Sequence, residues 1–266
     1  MNLRFVDIEN KDNLLCNVGS IEGLFKECFG KEISKALWAW AYLENPLGSP
    51  LVSLCLDEDV LVGHYAVIPI NLRSKNETIK ACLSMTTMVK EEYRKHGIFV
   101  ELAKQVYAKA SQQGYKLVFG FPNKNSAPGF RKRLGWEIQS GRVVSLTKKN
   151  ILDCDVLLNK LNDCHSLRLD IIDQEFRRWR LSKPGAQYID RGNLVLKKYG
   201  QMLDIVFVED GFENSLNDYE QYNVLCDEND LDSKELIGFE YYFGYRVFED
   251  NLAVQFKKDL LLSDLF

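Results

Sequence analysis

The sequence predicts a mixed α/β fold, in which helices alternate with the strands of one sheet. Between residues 51 and 89, strand-length segments are separated by turn-forming and charged residues. From Ile98 onward the apolar residues instead recur at nearly every fourth position, as in a helix. The 266-residue chain, with 46% hydrophobic residues, is long enough to bury a substantial core as one large domain or two small ones.

The first predicted elements are two short helices and a hairpin. Ser20 to Phe29 and Lys35 to Tyr42 are predicted helices, because their apolar residues fall at helical spacing. Two prolines and a glycine between residues 45 and 50 then turn the chain. The strands Leu51 to Leu56 and Leu61 to Ile70 follow, and the charged residues between them are typical of a hairpin tip.

A third strand, a helix and three shorter elements follow the hairpin. Thr78 to Val89 is the predicted strand, and the apolar residues from Ile98 to Ala110 mark one face of a helix that ends near residue 114. Leu117 to Phe121 is too short and too closely bounded for a helix, so we predict a strand. The remaining segments are predicted as a loop over Pro122 to Pro128, at most a short helix over Gly129 to Leu134, and a strand over Ile138 to Leu146.

The charge and hydropathy of the chain restrict its partners. A net charge of -4 and a pI near 5.6 leave no overall basic field, so nucleic acid is a poor candidate for the main partner and a small molecule is a better one. No segment approaches the ~20 apolar residues of a membrane span, and the N-terminus lacks the apolar run of a signal peptide. We therefore expect a cytoplasmic protein with no membrane partner.

The cysteines indicate neither disulfides nor a metal site. Seven of them are scattered, with no C-x-x-C pair and no ligand spacing to a histidine. We interpret them as reduced thiols that mostly belong to the core, and a catalytic cysteine paired with one of the three histidines stays open as an alternative. They are Cys16, Cys28, Cys55, Cys82, Cys154, Cys164 and Cys226.

The segment from residue 90 to 99 is the strongest candidate for a binding site. It joins a predicted strand directly to a predicted helix, and the unpaired N–H groups at a helix start attract anions such as a pyrophosphate. Arg94, Lys95 and His96 add positive charge, while Gly97 lets the backbone approach a ligand closely. An ordinary exposed helix start with a solvated basic cluster is the alternative.

Val89 to Phe99 resembles the acyl-coenzyme A loop of the GNAT superfamily. That loop has Arg or Gln, two residues, Gly, one residue, and then Gly or Ala, after a strand ending in valine. Arg94 and Gly97 match this pattern, whereas Phe99 stands where the last small residue is usual. Either the backbone here approaches the phosphates less closely, or the Phe99 ring points into the core.

A second segment strengthens the resemblance. GNAT proteins carry an Asn after the next strand and then a short helix that closes with Leu-Gly-Phe or Leu-Gly-Trp, and this chain has Asn123, Asn125 and Ser126 followed by Leu134-Gly135-Trp136. The resemblance covers about residues 21 to 146. It implies a GNAT-like central sheet with a splayed strand pair, in which the pantetheine arm of coenzyme A inserts like another strand.

The resemblance also implies a mechanism, in which a neutral amine attacks the thioester carbonyl of acyl-coenzyme A. Backbone N–H groups of Met88 and Val89 would polarise that carbonyl, and Asn123 or Asn125 would bind the pantetheine arm. No metal is expected. The predicted cofactor-binding residues are Met88, Val89, Arg94, Lys95, His96, Gly97, Ile98, Phe99, Asn123 and Asn125.

The proton donor for the departing thiolate is open. Many GNAT enzymes have a tyrosine four residues before the Gly of Leu-Gly-Phe, where this chain has Arg131. Arg131 stabilises the thiolate by charge, Ser126 supplies the proton, or solvent does. His64 is the candidate general base, because an imidazole titrates near neutral pH and its strand is expected to flank the cleft. A hydrogen-bonded structural histidine is the alternative.

Several polar and aromatic residues are predicted to contact the acceptor. Ser84 and Thr86 form a polar face on the strand that leads to the loop, with simple hydrogen-bonded hydroxyls as the alternative. Trp40 and Tyr42 belong to the pattern Trp-x-Tyr-x-x-Asn-Pro, which this chain shares with one GNAT branch.

The second half contains landmarks of the first. The segment around Trp40 recurs loosely around Trp179, and residues 134–137 recur as Ile237-Gly238-Phe239-Glu240, without a second Arg-x-x-Gly loop. We therefore predict a GNAT domain over residues 1–150 and a shortened, degenerate GNAT-like half over residues 151–266 that shapes the acceptor pocket. Chance similarity is the alternative. Tyr241 and Tyr245 are candidate acceptor contacts, with an aromatic core strand as the other explanation.

The acceptor is predicted from the resemblance alone. The combined pattern is similar to GNAT proteins of bacterial surface polysaccharide synthesis, such as O-antigen and lipopolysaccharide synthesis, which implies a dTDP- or UDP-linked amino sugar as acceptor. The acyl group would be acetyl or a longer group such as 3-hydroxybutyryl. A Fem-type aminoacyl transferase and a non-catalytic GNAT-fold binding module are the alternatives, although the net charge argues against a protein that binds tRNA.

Overall fold

The computed structural model describes residues 1–8, 10–75, 77–153, 166–218, 220–227, 238–249 and 252–263. Within these ranges the chain is a mixed α/β structure, as the sequence predicts. Cys154, Cys164 and Ile237 lie outside the described residues. In the ranges given, no helix is long and apolar enough to cross a membrane.

The first half follows the predicted order of elements, with one strand and one helix added at its start. The added strand has six residues and lies at the edge of the sheet. It forms a strand mainly because it pairs with a segment some fifty residues away, and its own sequence pattern contributes less. The elements are β1 (Leu3–Ile8), α1 (Lys11–Cys16), α2 (Val18–Phe29), α3 (Lys35–Tyr42), β2 (Leu51–Asp57), β3 (Val60–Arg73), β4 (Thr78–Val89), α4 (Ile98–Gln112), β5 (Leu117–Gly120), α5 (Ala127–Leu134) and β6 (Glu137–Thr147).

The second half has shorter elements and a larger share of strand. In the described residues its helices are α6 (Lys148–Asp153), α7 (Gln174–Leu181) and α8 (Leu260–Ser263). Its strands are β7 (Arg168–Leu169), β8 (Tyr188–Asp190), β9 (Leu194–Tyr199), β10 (Met202–Val208), β11 (Gln221–Asp227) and β12 (Gly238–Val247). The sequence has strand-like segments at Leu194 to Lys198 and Asp204 to Val208, and these correspond to β9 and β10.

The described strands form one continuous sheet that runs through both halves. Its order is β1-β2-β3-β4-β5-β12-β6-β11-β10-β9-β8, and β7 pairs with β3 outside this path. The β4–β5 and β10–β11 pairs are parallel, and the other neighbours are antiparallel. The predicted mixed sheet is therefore confirmed.

Strand β12 joins the two halves. It belongs to the second half by sequence, yet it pairs antiparallel with β5 from Gly244↔Gly120 to Val247↔Leu117. On its other side it pairs with β6 from Gly238↔Val144 to Tyr245↔Glu137. The sheet of residues 1–150 is thus completed by a strand from residues 151–266, and the predicted division into two domains stays a prediction.

Two separate apolar clusters cover the two faces of the first-half sheet. On one face α1, α2 and α3 pack with residues from β7, α7, β12 and α8. On the other face α4 and α5 pack against β2, β3, β4 and β5. A third cluster lies among β6, β9, β10 and β11. Both faces of β3 are therefore buried, which explains its long apolar sequence.

Both halves contain a helix with a hairpin after it in the chain, and in the second half β8 lies between the two. The first unit is α3 with β2 and β3, and the second is α7 with β9 and β10. Both helices begin after a side chain that caps them: the Ser34 hydroxyl accepts from Leu37 N–H at 3.3 Å, and the Asp173 carboxylate accepts from Phe176 N–H at 3.0 Å. Both hairpins turn through two residues, 58–59 and 200–201.

The two units pack on each other through a reciprocal tryptophan pair. Trp40 and Trp179 occupy the sixth position of their helices, and their rings stack with centroids 4.8 Å apart. The Trp40 indole N–H donates to the Trp179 carbonyl at 2.8 Å, and the Trp179 indole N–H donates to the Trp40 carbonyl at 2.9 Å. This pseudo-twofold contact supports the sequence-based view that the units repeat each other.

Candidate active site

Strands β4 and β5 separate halfway along β4. Their parallel pairing covers only Ala81 to Leu83 on β4 and ends at the pair Leu83↔Phe119. From Ser84 to Val89, β4 continues to pair with β3, while in the described part of the chain no strand pairs with its other edge. The result is the open V between two strands that the resemblance implies, and its free edge offers unpaired backbone groups.

The two strands lie close together where they begin to diverge. A Cβ atom on Gly120 would lie 3.3 Å from the Ser84 Cβ atom and 3.3 Å from the Trp136 ring. These distances are shorter than ordinary van der Waals contact, so glycine is the residue that fits at the closed end of the V. The space between the strands therefore opens from Ser84 toward Val89.

A β-bulge at Thr86 interrupts β4 inside the V. The register passes from Ala66↔Met85 to His64↔Met88, so two residues of β4 lie opposite Tyr65 of β3. Thr86 has a φ of 45°, a left-handed conformation that is strained for a β-branched residue. The bulge changes the direction of β4 just before the strand reaches the loop.

Two buried side chains bind Thr86. The Tyr42 hydroxyl makes a short hydrogen bond with the Thr86 hydroxyl, and His64 Nδ1 donates to the Thr86 carbonyl at 2.8 Å. Because a carbonyl oxygen only accepts, this contact places the proton of the neutral imidazole on Nδ1. Both Tyr42 and His64 are fully buried.

The surroundings of His64 favour a structural role over a general base. Burial lowers the pKa of His64 to about 4, so the imidazole is neutral at physiological pH. A general base works best when its pKa lies near the operating pH. In the part of the chain that the structure describes, Nε2 is buried without a hydrogen-bond partner. The sequence-based alternative, a hydrogen-bonded structural histidine, therefore fits the geometry better than the predicted base.

The backbone of Val89 faces the open side of β4. Lys90 N–H donates to the Val62 carbonyl of β3 at 2.9 Å. Since N–H groups in an antiparallel ladder alternate between the two sides, Met88 N–H points toward β3 and Val89 N–H points into the V. Of the two predicted carbonyl-polarising donors, Val89 is the one whose N–H points away from β3, where it lies near the Cys28 thiol.

Helix α2 also supplies residues at this position that were not predicted from the sequence. Burial raises the pKa of the Cys28 thiol, which lies near the Arg94 guanidinium and the Val89 N–H. Glu27 forms an ion pair with Lys90, with 2.8 Å between the carboxylate oxygen and Nζ. No local pattern in α2 indicates which end of β4 the helix crosses. These contacts could therefore be identified only from the structure.

The loop between β4 and α4 is exposed and provides unpaired N–H groups. Gly97 precedes the 15-residue α4 with a φ of 74°, which a residue with a Cβ rarely adopts. Among the described residues, the N–H groups of Lys95, Gly97, Ile98 and Phe99 have no hydrogen-bond acceptor. Together with the helix dipole and the exposed Arg94 and Lys95, they give this turn the features by which helix starts attract anions.

The Phe99 ring points into the core. Its centroid lies 5.1 Å from that of Phe130 and 6.4 Å from that of Tyr65, within the apolar cluster of α4 and α5. Of the two explanations that the sequence left open, the structure supports the second. The missing small residue therefore leaves the backbone at the helix start accessible.

Comparison with known proteins agrees with this geometry. Residues 19–139 match the family model of the acetyltransferase (GNAT) domain. We call this matched segment the GNAT domain. The match lies within the residues 21 to 146 that the sequence resemblance covers, apart from two positions at its start. No curated protein matches the sequence significantly.

Solved structures extend the similarity of fold into the second half. A GCN5-related N-acetyltransferase from Kribbella flavida has a TM-score of 0.63 and 12% identity, and the alignment covers 92% of this chain and 72% of that one. A probable N-acyltransferase from Enterococcus faecalis has a TM-score of 0.60 and 12% identity over 93% and 73% of the two chains. A GCN5-related N-acetyltransferase from Anabaena variabilis gives 0.60 and 12% over 92% and 73%. At such low identity these likenesses show the fold alone.

After the β5 strand of the GNAT domain, Asn123 organises the next loop. Its side-chain oxygen accepts from Asn125 N–H at 3.0 Å and from Ser126 N–H at 2.9 Å, which forms the start of α5. The Ser126 hydroxyl donates to the Asn123 carbonyl at 3.3 Å. Asn123 and Asn125 are exposed, so their amide nitrogens remain accessible to a ligand.

Arg131 and Ser84 both have partners within the GNAT domain. The Arg131 guanidinium donates to the Ile138 carbonyl of β6 at 2.9 Å, which gives it a structural contact. The Ser84 hydroxyl donates to Tyr65 OH at 2.9 Å, and Tyr65 OH lies 2.8 Å from Tyr107 OH. Ser84 thus fits the alternative of a simple hydrogen-bonded hydroxyl.

Trp40 is part of the core and not of an open acceptor pocket. Its side chain is 1% exposed, and its indole N–H is already bonded to Trp179. The sequence predicted an acceptor contact for this residue. A tryptophan in a motif is equally compatible with ligand stacking and with packing, and the sequence alone does not distinguish the two. The partner, 139 residues away, decides in favour of packing.

The two candidate tyrosines of β12 lie at different depths. Tyr241 is half-buried, and its ring centroid lies 5.2 Å from that of Phe121, the residue directly after β5. The Tyr245 hydroxyl donates to the Glu137 carboxylate at 2.5 Å, at the start of β6. A cavity of about 420 Å³ lies beside this pair. Tyr241 is therefore the tyrosine beside the carboxyl end of β5.

Proposed function

We propose that this chain is an N-acyltransferase that moves an acyl group from acyl-coenzyme A to an amine by direct attack. The observation that carries the proposal is the turn at Gly97, where a GNAT domain presents unpaired N–H groups at the end of an opened strand. A binding turn without the V would fit many anions. The two together fit a molecule with a diphosphate and an extended amide-containing arm.

The donor would bind along β4 and the loop. Its pyrophosphate accepts hydrogen bonds from the N–H groups between Lys95 and Phe99, with Arg94, Lys95 and His96 at its edge. Its pantetheine arm lies in the V and pairs with the free edge of Ser84 to Val89, while an amide of Asn123 or Asn125 holds the arm from the other side.

The chemistry needs little from the protein beyond position and polarisation. The amine nitrogen forms a bond to the thioester carbon, the C–S bond breaks, and its electron pair leaves with sulfur. The Val89 N–H stabilises the negative charge that develops on the carbonyl oxygen. The ammonium proton passes to solvent. The thiolate is protonated by Ser126 or by solvent, or it is stabilised by the charge of Arg131, whose guanidinium has further N–H groups beside the one bonded to Ile138.

The acceptor that we propose is the amine of a dTDP- or UDP-linked amino sugar. The support is the resemblance of the whole pattern to the branch that acts on such sugars, together with a net charge of -4 that disfavours tRNA. The acyl group that we propose is acetyl or 3-hydroxybutyryl. Acceptor and donor of this kind imply that the enzyme acts in the cytoplasm.

A thiol-release screen tests the proposal. Acetyl- and 3-hydroxybutyryl-coenzyme A are each incubated with dTDP- and UDP-linked amino sugars, and free thiol is followed with a chromogenic reagent. We expect release that requires both substrates and is absent in Gly97→Val. Binding of coenzyme A in calorimetry without transfer to any amine would instead identify a non-catalytic GNAT-fold binding module.

A further inference from the structure

The most strained residue of the site is held by side chains from two different elements. Among the described residues only Glu58 and Thr86 have a positive φ without being glycine. Glu58 lies at the exposed tip of the β2–β3 hairpin, where a turn requires such a conformation. Thr86 lies within a strand and is β-branched, so its conformation needs support from its surroundings.

The bulge at Thr86 decides which backbone groups face the V. A one-residue change of register in a strand exchanges its two sides. Without the additional residue, Met88 N–H would point into the V and Val89 N–H would point toward β3. The side chains would exchange as well, although Met88 now packs in the cluster of α1 to α3 and Val89 against the cluster of α4 and α5.

We propose that Tyr42 and His64 are positioning residues that hold Thr86 in the left-handed conformation and so direct the Val89 N–H into the cleft. Tyr42 binds the Thr86 side chain and His64 binds its carbonyl, so the residue is fixed at two of its groups. The inference rests on the proposed function, in which Val89 polarises the thioester. Neither residue touches the reacting atoms.

The second helix–hairpin unit shows that packing alone does not require these polar groups. Tyr42 is the last residue of α3, and the last residue of α7 is Leu181. His64 is the fifth residue of β3 and pairs with Leu54. The fifth residue of β10, Val206, is equally buried and lies at a register shift between β9 and β10. The polar pair thus occurs only in the unit that is followed by the bulged strand.

Four variants test the inference by steady-state kinetics and calorimetry with coenzyme A. The His64→Asn side chain retains an N–H near the position of Nδ1, whereas that of His64→Gln does not. Tyr42→Phe removes only the hydroxyl. Thr86→Gly adopts a positive φ without support. Tyr199→Phe, an exposed tyrosine of β9, is the control for a lost hydroxyl.

We expect a pattern that packing damage does not produce. His64→Gln and Tyr42→Phe should lower kcat by roughly tenfold or more, because a misdirected donor is lost only in the transition state. The Kd for coenzyme A should stay unchanged. His64→Asn should retain most activity, and adding Thr86→Gly to Tyr42→Phe should restore most of the lost kcat. Tyr199→Phe should behave like the wild type.

Two outcomes would overturn the inference. If His64→Asn loses as much kcat as His64→Gln, the imidazole itself is needed, as in general-base catalysis. If kcat and coenzyme A binding weaken together and Thr86→Gly restores neither, Tyr42 and His64 only stabilise the fold.

A measurement without substrate separates this inference from the proposed function. The amide resonance of Val89 in labelled protein should shift in Tyr42→Phe and return toward its wild-type position when Thr86→Gly is added. A wild-type protein that transfers no acyl group would refute the proposed function, and the Val89 resonance would still decide the role of the pair. An unshifted resonance would refute the inference even in an active enzyme.

Discussion

The two helix–hairpin units share a scaffold and differ in the element that comes after it. In the first unit, β3 pairs with β4, which contains a bulge and leads through Gly97 into the 15-residue α4. In the second unit, β10 is followed by a short 3₁₀ turn over Phe212–Ser215 and then by β11, a strand. Among the described residues, no α-helix start follows the second unit before β12.

This difference indicates where the chemistry of the fold resides. The capping residues, the two-residue turns and the tryptophan pair are present in both units and serve packing. The second unit has a register shift of its own, between Ile205 and Phe207 of β10. In the described residues, the bulge at Thr86, the free edge of β4 and the turn at Gly97 accompany the first unit. The scaffold can thus be repeated without repeating the site, because the site depends on one strand-to-helix connection.

Substitution of the two turn glycines should give the largest contrast between the units. Gly97 and Gly200 both have a positive φ, 74° before α4 and 59° in the β9–β10 turn. Gly97→Val should raise the Kd for coenzyme A by roughly 100-fold or more, because a β-branched residue distorts the anion-binding turn and adds atoms beside it. Calorimetry measures the change.

Gly200→Val is the matched control for that experiment. It introduces a comparable backbone strain, so it should lower the midpoint of urea unfolding while leaving the Kd for coenzyme A unchanged. Equal donor affinity in Gly97→Val and the wild type would mean that the cofactor site lies elsewhere.

The pH dependence of stability should distinguish the unit with a buried histidine from the unit with valine. The pKa of His64 is lowered from 6.5 to about 4 in the folded protein. As the pH falls, the unfolded chain therefore binds a proton at this histidine before the folded protein does. Above about pH 6.5 the histidine is neutral in both states, and its full contribution to the free energy of unfolding is present. That stability is lost toward pH 4, by about 3 kcal/mol in total.

The difference between wild-type protein and His64→Asn isolates this effect from the carboxylates. Urea unfolding at a series of pH values should show the wild type losing stability relative to the variant between pH 6.5 and 4. A constant difference over that range would show that His64 titrates normally and is not buried as a neutral group.

The reciprocal tryptophan pair should couple the two units energetically. Trp40→Phe or Trp179→Phe should each lower the free energy of unfolding by about 2 kcal/mol, through lost ring area and a carbonyl left without its donor. The double variant should lose less than the sum, because the two contacts depend on each other. Trp38→Phe is the control, since in the described residues the buried Trp38 N–H has no partner.

The sequence predicted the local features of this molecule well. The order of elements in the GNAT domain followed from periodicity, and the turn at Gly97 followed from charge and glycine between a strand and a helix. Such features depend on residues close together in the chain, where propensity and spacing act directly. The sequence left two possible directions for the Phe99 ring. The contacts with Phe130 and Tyr65 in the structure show that the ring points into the core.

Long-range contacts were not predictable in the same way. The placement of β12 between β5 and β6 joins segments more than 90 residues apart, and no local pattern specifies that register. The roles of Trp40 and His64 depend on partners in other elements, Trp179 and Thr86. A buried aromatic or histidine has the same sequence signature whether its partner is a ligand or the protein itself.

The smallest expected effect concerns the strand that the second half contributes to the first. Tyr241 lies beside Phe121 at the end of β5, and alternation places Tyr242 on the opposite face of β12. Tyr241→Phe should raise the KM for the amino acceptor by roughly fivefold, the effect of one lost hydrogen bond, with the donor KM nearly unchanged. Tyr242→Phe, on the other face, should change neither constant. If Tyr241→Phe changes the donor constant instead, β12 contributes to acyl-coenzyme A binding, and the second half does not serve acceptor recognition alone.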